Sequence, residues 1–214
     1  MVIYCPSQGK SASTAFWNLV WNIFELKGIK HKKYLLSPST RSHCIDYKSL
    51  KAECKKNKDT AFIVKAHERF GALLDENDAA FMIVRNLYQT LSSGLKKEHR
   101  VKPEKLINRY VKFYKQWKND CGYIIQFDEF INNKKEVVKN ISHKLKLPLK
   151  ESQVEKLIQD NNNIAYNYPE TLLTPKHIHS KHTAYTYDLK PISGNARKYL
   201  QQLEQEEELK ELFQ

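Results

Sequence analysis

The sequence predicts an α/β fold, a three-layer arrangement in which helices cover both faces of a parallel β-sheet. Short, mainly apolar runs are typical of strands buried on both sides, and here they alternate with longer segments of helical periodicity. Such alternation favours parallel strands joined by helical crossovers. A length of 214 residues suits a single domain with a complete hydrophobic core.

The predicted strands are four or five residues long. They cover residues 2–5, 33–36, 61–65, 80–84 and 123–127. The first predicted helix is buried and runs from Ala15 to a C-cap at Gly28, and a polar surface helix follows at 45–57. Another helix ends near Lys97, and a basic one runs from Pro103 to Asn119. The last two are a helix from Lys134 that Pro148 ends and a charged helix from about Asn195. Residues 161–194 show little periodicity, so we expect an ordered loop region there.

Composition limits the partners and the compartment. A formal net charge of +12 favours anionic partners: nucleotides, acidic glycans, nucleic acid or lipid headgroups. The four cysteines form no C-x-x-C pair, which indicates reduced thiols. No apolar run reaches transmembrane length and the chain opens on a strand instead of a signal peptide, so we expect a soluble, cytoplasmic protein.

Polar residues follow three of the predicted strands. Small residues and Lys10 form a loop between the first strand and the first helix, which is how proteins present backbone N–H groups to a phosphate. Lys65 and His67 end the 61–65 strand, and Arg85 ends the next. Ligands of parallel sheets bind beyond the carboxyl ends of the strands, so these residues are candidates for one site.

An ATP site is one interpretation of the loop. Gly9, Lys10 and Ser11 match the end of a Walker A loop, but its earlier glycine would fall at Tyr4. Asp128 follows the 123–127 strand and is a candidate magnesium ligand. An ATP-dependent kinase or NTPase is therefore one alternative.

A second interpretation accounts for more of the chain. The segment GKSAST resembles the 5′-phosphosulfate loop P-K-S-G-T-T-W of the cytosolic-type sulfotransferases. The residues aligned with K-S-G-T-T are Lys10, Ser11, Ala12, Ser13 and Thr14. Gly9 replaces the usual Pro, and Ala12 replaces the usual Gly.

The resemblance continues in order from residue 2 to about 149. Lys65-Ala66-His67 stands where the family has K-T-H, and Arg85 with Ser93 reproduces the Arg and Ser, eight residues apart, that hold a 3′-phosphate. Ser92 is the alternative register for Ser93. YIIQFDEF resembles the Y-E-D-L segment, with Phe127 in place of a frequent Tyr. The C-terminal R-K-G…G-x-x-G element has no clean copy. Its candidates are Lys181, Lys190, Arg197 and Lys198, around Gly194.

The resemblance implies a single sulfotransferase domain over 1–214, with a nucleotide-binding and catalytic core at 1–149 and C-terminal helices with a lid or acceptor loop at 150–214. It implies 3′-phosphoadenosine 5′-phosphosulfate (PAPS) as donor, adenosine 3′,5′-bisphosphate (PAP) as product, and a hydroxyl acceptor on a carbohydrate, a lipid headgroup or a small molecule. Lys10 would stabilise the leaving group, His67 would be the base, and Lys65 would reach the sulfate. Lysine supplies the positive charge, so no metal is required.

Each of these residues also has a structural alternative. His67 is a candidate strand-end histidine satisfied by a backbone carbonyl, Lys65 a surface charge, and Arg85 a structural arginine. His177, His179 and His182 invite a metal site, but they fit an acceptor or nucleotide lid better because no Cys or carboxylate completes the set. The basic helix at 102–118 carries aromatic residues, which leaves a nucleic-acid-binding protein as a further alternative, although aromatic residues at that spacing are more often core.

Overall fold

The protein is described by a computed structural model over residues 1–7, 12–37, 44–68, 78–97, 101–162, 192 and 194–214, with backbone alone at 93, 96, 97, 161 and 162. Six strands form one sheet in the order β3-β2-β4-β1-β5-β6, and every neighbouring pair is parallel. The strands are β1 Val2–Pro6, β2 His31–Leu36, β3 Cys44–Ile45, β4 Ala61–Ala66, β5 Ala79–Val84 and β6 Tyr123–Gln126.

The helices lie on both faces of this sheet, so the predicted three-layer α/β fold is confirmed. They are α1 Ser13–Leu26, α2 Tyr47–Lys56, α3 Leu87–Lys97, α4 Pro103–Trp117, α5 Phe127–Asn132, α6 Lys134–Lys144, α7 Glu151–Asn162 and α8 Gly194–Glu204. Two 3₁₀ segments, Lys118–Asp120 and Glu207–Leu212, follow α4 and α8. Among the described residues, none of the helices is long and apolar enough to cross a membrane.

Alternate residues of each strand enter the two halves of the core, because successive side chains of a strand point to opposite faces. Ile3 and Ile63 face the half formed with α1, α5, α6 and α7. Tyr4 and Val64 face the other half, which α2, α3, α4, α8 and the second 3₁₀ segment complete.

Several elements differ from the sequence-based expectation. Helix α7, Glu151–Asn162, was not predicted. β3 was not predicted, since two residues carry no pattern. The predicted strand 123–127 is one residue too long: Phe127 begins α5, whose first turn carries Asp128 and Glu129, acidic residues that favour a helix N-terminus. The predicted helix to Asn119 ends at Trp117 and continues as 3₁₀.

Candidate nucleotide-binding and catalytic site

The strand order brings the three polar strand ends together. β1 is hydrogen-bonded to β4 on one side and to β5 on the other, so the loop after β1 begins between them. Ser7 extends β1, where its N–H donates to Ala66 O at 3.0 Å and it pairs with Ile83. The expectation that these strand ends share one edge of the sheet is met.

The first turn of α1 has no acidic residue. Ala12 is the N-cap residue of this helix, and its own side chain makes no capping hydrogen bond. The N–H groups at a helix N-terminus favour negative charge. Ala12 has left-handed backbone angles, φ 56° and ψ 26°, a conformation that costs a non-glycine residue roughly 1–2 kcal/mol. Lys10 and Ser11 lie outside the described residues.

Lys65 is a buried cation at the end of β4, only 9% exposed. Its Nζ donates to Thr14 Oγ1 at 2.9 Å, which ties the strand to the first turn of α1. Burial lowers the pKa of Lys65 to about 8. Within the described ranges, no carboxylate lies at ion-pair distance from it. The alternative that Lys65 is a surface charge is therefore wrong.

A second lysine, which the sequence analysis did not single out, lies on the same face. Lys33 Nζ is 4.5 Å from the ring centroid of Trp17 and 3.9 Å from that of Trp21, and it donates to Asn18 Oδ1 at 2.8 Å. The Lys65 ammonium lies 5.9 Å from the Trp17 ring. Burial, with the charge of Lys65, lowers the pKa of Lys33 to about 7.

His67 has a defined orientation at the same edge. Its Nδ1 lies 3.0 Å from Ser7 O, so this nitrogen carries the proton and donates to the carbonyl. Nε2 is then the unprotonated nitrogen. His67 is an exposed residue. Partial desolvation of its ring, together with the charge of Lys65, lowers the pKa of His67 to about 4, while the Ser7 hydrogen bond acts in the opposite direction.

Arg85 is buried just beyond β5. Its Nε donates to Gln89 Oε1 at 2.7 Å, and its guanidinium carbon lies 4.3 Å from the Phe127 ring centroid. Gln89, which the sequence analysis missed, therefore fixes one edge of the guanidinium, while Phe127 supports its face.

The helix after Arg85 carries the expected hydroxyl. Ser93 lies on α3, where its backbone alone is described, and Ser92 is a buried residue of the same turn. Asn86 caps this helix: its Oδ1 accepts from Tyr88 N at 3.0 Å and from Gln89 N at 3.4 Å. Arg85 and Ser93 thus flank the first turns of a capped helix.

Several other candidates are exposed or lie outside the described residues. Asp128 is exposed in the first turn of α5 instead of ending a strand, which weakens its comparison with a Walker B carboxylate. Arg197 and Lys198 are exposed on α8, of which Gly194 is the first residue. His177, His179, His182, Lys181 and Lys190 lie outside the described residues. The part of the chain that is described holds no group of three or more potential metal ligands.

The fold has clear relatives among solved structures. Mouse sulfotransferase SULT7A1, solved with PAP, is 13% identical to this chain with a TM-score of 0.63, over 97% of this chain and 84% of that one. The fold is of the sulfotransferase type. Retinol dehydratase, solved with retinol and PAP, gives 12% identity and a TM-score of 0.52 over 99% and 80% of the two chains. The structure of retinol dehydratase with androsterone and PAP is 13% identical to this chain, with a TM-score of 0.52, over 99% of this chain and 79% of that one. Neither a protein-family model nor a curated protein matches the sequence.

Proposed function

We propose that this chain is a sulfotransferase that moves the sulfuryl group of PAPS to an acceptor hydroxyl by in-line displacement. The observation that carries the proposal is the arrangement of Lys65 and His67 at the carboxyl end of β4 and of Arg85 at that of β5, on either side of β1 in a sulfotransferase-type fold. Each of these residues was expected from the sequence motifs, and the burial of Lys65 and Arg85 and the hydrogen bond of His67 to Ser7 support the proposed roles.

The 5′ end of the donor would lie at the N-terminus of α1. Backbone N–H groups of residues 11–14 would hold the 5′-phosphate, and Lys10 would donate to the oxygen that bridges it to sulfur. Lys65, buried without a carboxylate among the described residues, would contact the sulfuryl oxygens. Because the S–O bond to that bridging oxygen breaks, negative charge grows there, and cations placed in advance stabilise it.

His67 would accept the proton of the attacking hydroxyl at Nε2, while the acceptor oxygen forms its bond to sulfur and PAP leaves. The hydrogen bond from Nδ1 to Ser7 O supports this role, because it holds the tautomer in which Nε2 can accept a proton. A low pKa keeps the ring neutral at physiological pH. The same bond also suits a structural histidine, so the role needs a kinetic test.

Arg85 and Ser93 would bind the 3′-phosphate, which distinguishes PAPS from ATP. A planar guanidinium presents paired donors to a phosphate, and Gln89 with Phe127 holds its plane.

In this proposal residues 1–149 form the nucleotide-binding and catalytic core, and residues 150–214 contribute C-terminal helices and the acceptor side. The acceptor is a hydroxyl of a carbohydrate, a lipid headgroup or a small molecule. With lysines supplying the charge, the transfer needs no metal.

A P-loop kinase and a nucleic-acid-binding protein are the competing functions. The position of Asp128 disfavours the first. The second would use the aromatic residues of α4 to stack on bases, but they are buried in the core: Tyr110, Phe113, Tyr114 and Trp117.

Transfer of label from radiolabelled PAPS to a panel of hydroxyl acceptors tests the proposal. We expect turnover of at least one acceptor class without added metal.

His67→Ala should lower kcat by about 100-fold or more while PAP affinity stays within a factor of two. In the wild type, kcat/KM should fall on the acid side only as the pH decreases toward 4, since the lowered pKa of about 4 leaves His67 unprotonated above it. Loss of PAP affinity together with activity would make His67 a structural or nucleotide-binding residue.

A further inference from the structure

The last ten residues, 205–214, are here called the C-terminal segment. We infer that this segment is a positioning element for the Arg85 clamp and that Asn86 transmits its effect. The inference rests on the proposed function, because it assigns the segment a role in binding the 3′-phosphate of the donor.

The C-terminal segment is fixed to the body of the domain. Leu209 and Leu212 are fully buried in the half of the core that contains α3 and α4. Gln126, the last residue of β6, donates to Glu211 O at 2.8 Å, and Lys118 donates to Glu208 O at 2.8 Å. The segment is thus bound both to the carboxyl end of β6 and to the end of α4.

Asn86 joins the C-terminal segment to the start of α3. Its Nδ2 donates to Phe213 O at 2.9 Å, while its Oδ1 accepts the two N–H groups that cap the helix. Tyr88 adds an edge-to-face contact with Phe213, at a centroid distance of 5.8 Å. A single carboxamide therefore contacts the C-terminal segment on one side and the helix N-terminus on the other.

The first turn of α3 in turn holds Arg85. Asn86 directly follows Arg85, and Gln89, one turn later, accepts the guanidinium Nε–H at 2.7 Å. The direction of the guanidinium plane depends on the position of that turn. Binding a phosphate through two parallel N–H groups requires a fixed plane, whereas attraction to the charge alone does not.

Loosening the C-terminal segment should consequently leave the positive charge of Arg85 in place. The plane of the Arg85 guanidinium should become less fixed. A ligand with a 3′-phosphate would lose affinity, and one with only a 5′-phosphate would not. A purely structural role of the segment would weaken both ligands alike, or neither.

Asn86→Ser tests this prediction by calorimetric titration of the full chain with PAP and with adenosine 5′-monophosphate. Serine still caps a helix, but its side chain is too short to reach Phe213 O as well. We expect PAP affinity to fall about fivefold and 5′-monophosphate affinity to stay within a factor of two, since one hydrogen bond is lost and the clamp is only misaligned. The matched control is Asn140→Ser, which removes an amide contact on α6. It should change neither affinity.

Phe213→Ala is the second variant, and it keeps the backbone carbonyl that Asn86 contacts. It removes the ring contact with Tyr88 and should shift the ratio of the two affinities in the same direction, by about twofold. If wild-type protein binds PAP and both variants keep the wild-type ratio, or lose both ligands equally, the inference is overturned. If wild-type protein does not bind PAP at all, the proposed function fails first.

Discussion

The lysines of the surface and Lys65 at the carboxyl edge of the sheet have opposite surroundings. On the surface, Lys30 pairs with Asp59 at 2.8 Å and Lys32 with Glu53 at 2.7 Å. At the sheet edge, Lys65 donates to a threonine hydroxyl, and none of the described carboxylates lies at ion-pair distance from it. Surface charge is neutralised within the protein, whereas Lys65 keeps its charge available to a ligand.

That difference has an energetic consequence. A buried cation without a carboxylate destabilises the folded state, and the lowered pKa of Lys65 reflects this cost. A bound phosphate or sulfate would provide the missing negative charge. Functional sites often lower the stability of the folded state, because they hold charged groups in place for a ligand. Comparable substitutions at the two kinds of lysine should therefore have opposite effects.

The largest expected effect is that of Lys65→Met. PAPS affinity, measured without an acceptor, should fall about 30-fold, because the charged hydrogen bonds from Lys65 to the sulfuryl oxygens are lost. The free energy of unfolding should stay the same or rise, because a buried charge is removed. Titration calorimetry and urea unfolding measure the two quantities.

Lys32→Met on the neighbouring strand is the matched control. It breaks the ion pair with Glu53, which should change stability by about 1 kcal/mol or less and leave PAPS affinity unaltered. Equal losses of affinity in the two variants would remove the distinction between the two kinds of lysine.

Arg85→Lys should have the next largest effect. It keeps the charge but loses the planar pair of donors, so PAP affinity should fall about tenfold while adenosine 5′-monophosphate affinity changes little. Competition binding with the two nucleotides measures this ratio. An unchanged ratio would mean that Arg85 is structural.

The smallest effect is on the pH dependence of binding. With its pKa lowered to about 8, Lys65 is charged below that pH and loses its charge as the pH rises through it. PAPS affinity, measured without an acceptor, should consequently decrease by a few-fold between about pH 7 and pH 9. The decrease should be absent in Lys65→Met, and its persistence there would assign it to another group.

The sequence predicted most of the fold because buried parallel strands are short, apolar and separated by helical segments. It missed β3, whose two residues are ordered by pairing with β2. It also placed Phe127 in a strand, although acidic residues after it favour a helix start. Such boundaries depend on tertiary packing and end-capping more than on hydrophobic pattern.

The candidate site was predictable only in part. Lys65, His67 and Arg85 follow from the rule that parallel strands end at one edge of the sheet. Gln89 and Asn86 do not, since their roles depend on how α3 packs beside β5 and on where the C-terminal segment returns. Lys33 was missed because its position in a strand gave no sign that two tryptophans of α1 would cover it.

Calorimetric titration of the wild-type protein with PAP, ATP with magnesium, and an oligonucleotide tests the proposed function most directly. We expect PAP to bind with one site per chain in the absence of any metal, and ATP with magnesium and the oligonucleotide to bind at least about 100-fold more weakly. Tight binding of ATP with magnesium, or of the oligonucleotide, and none of PAP would contradict it.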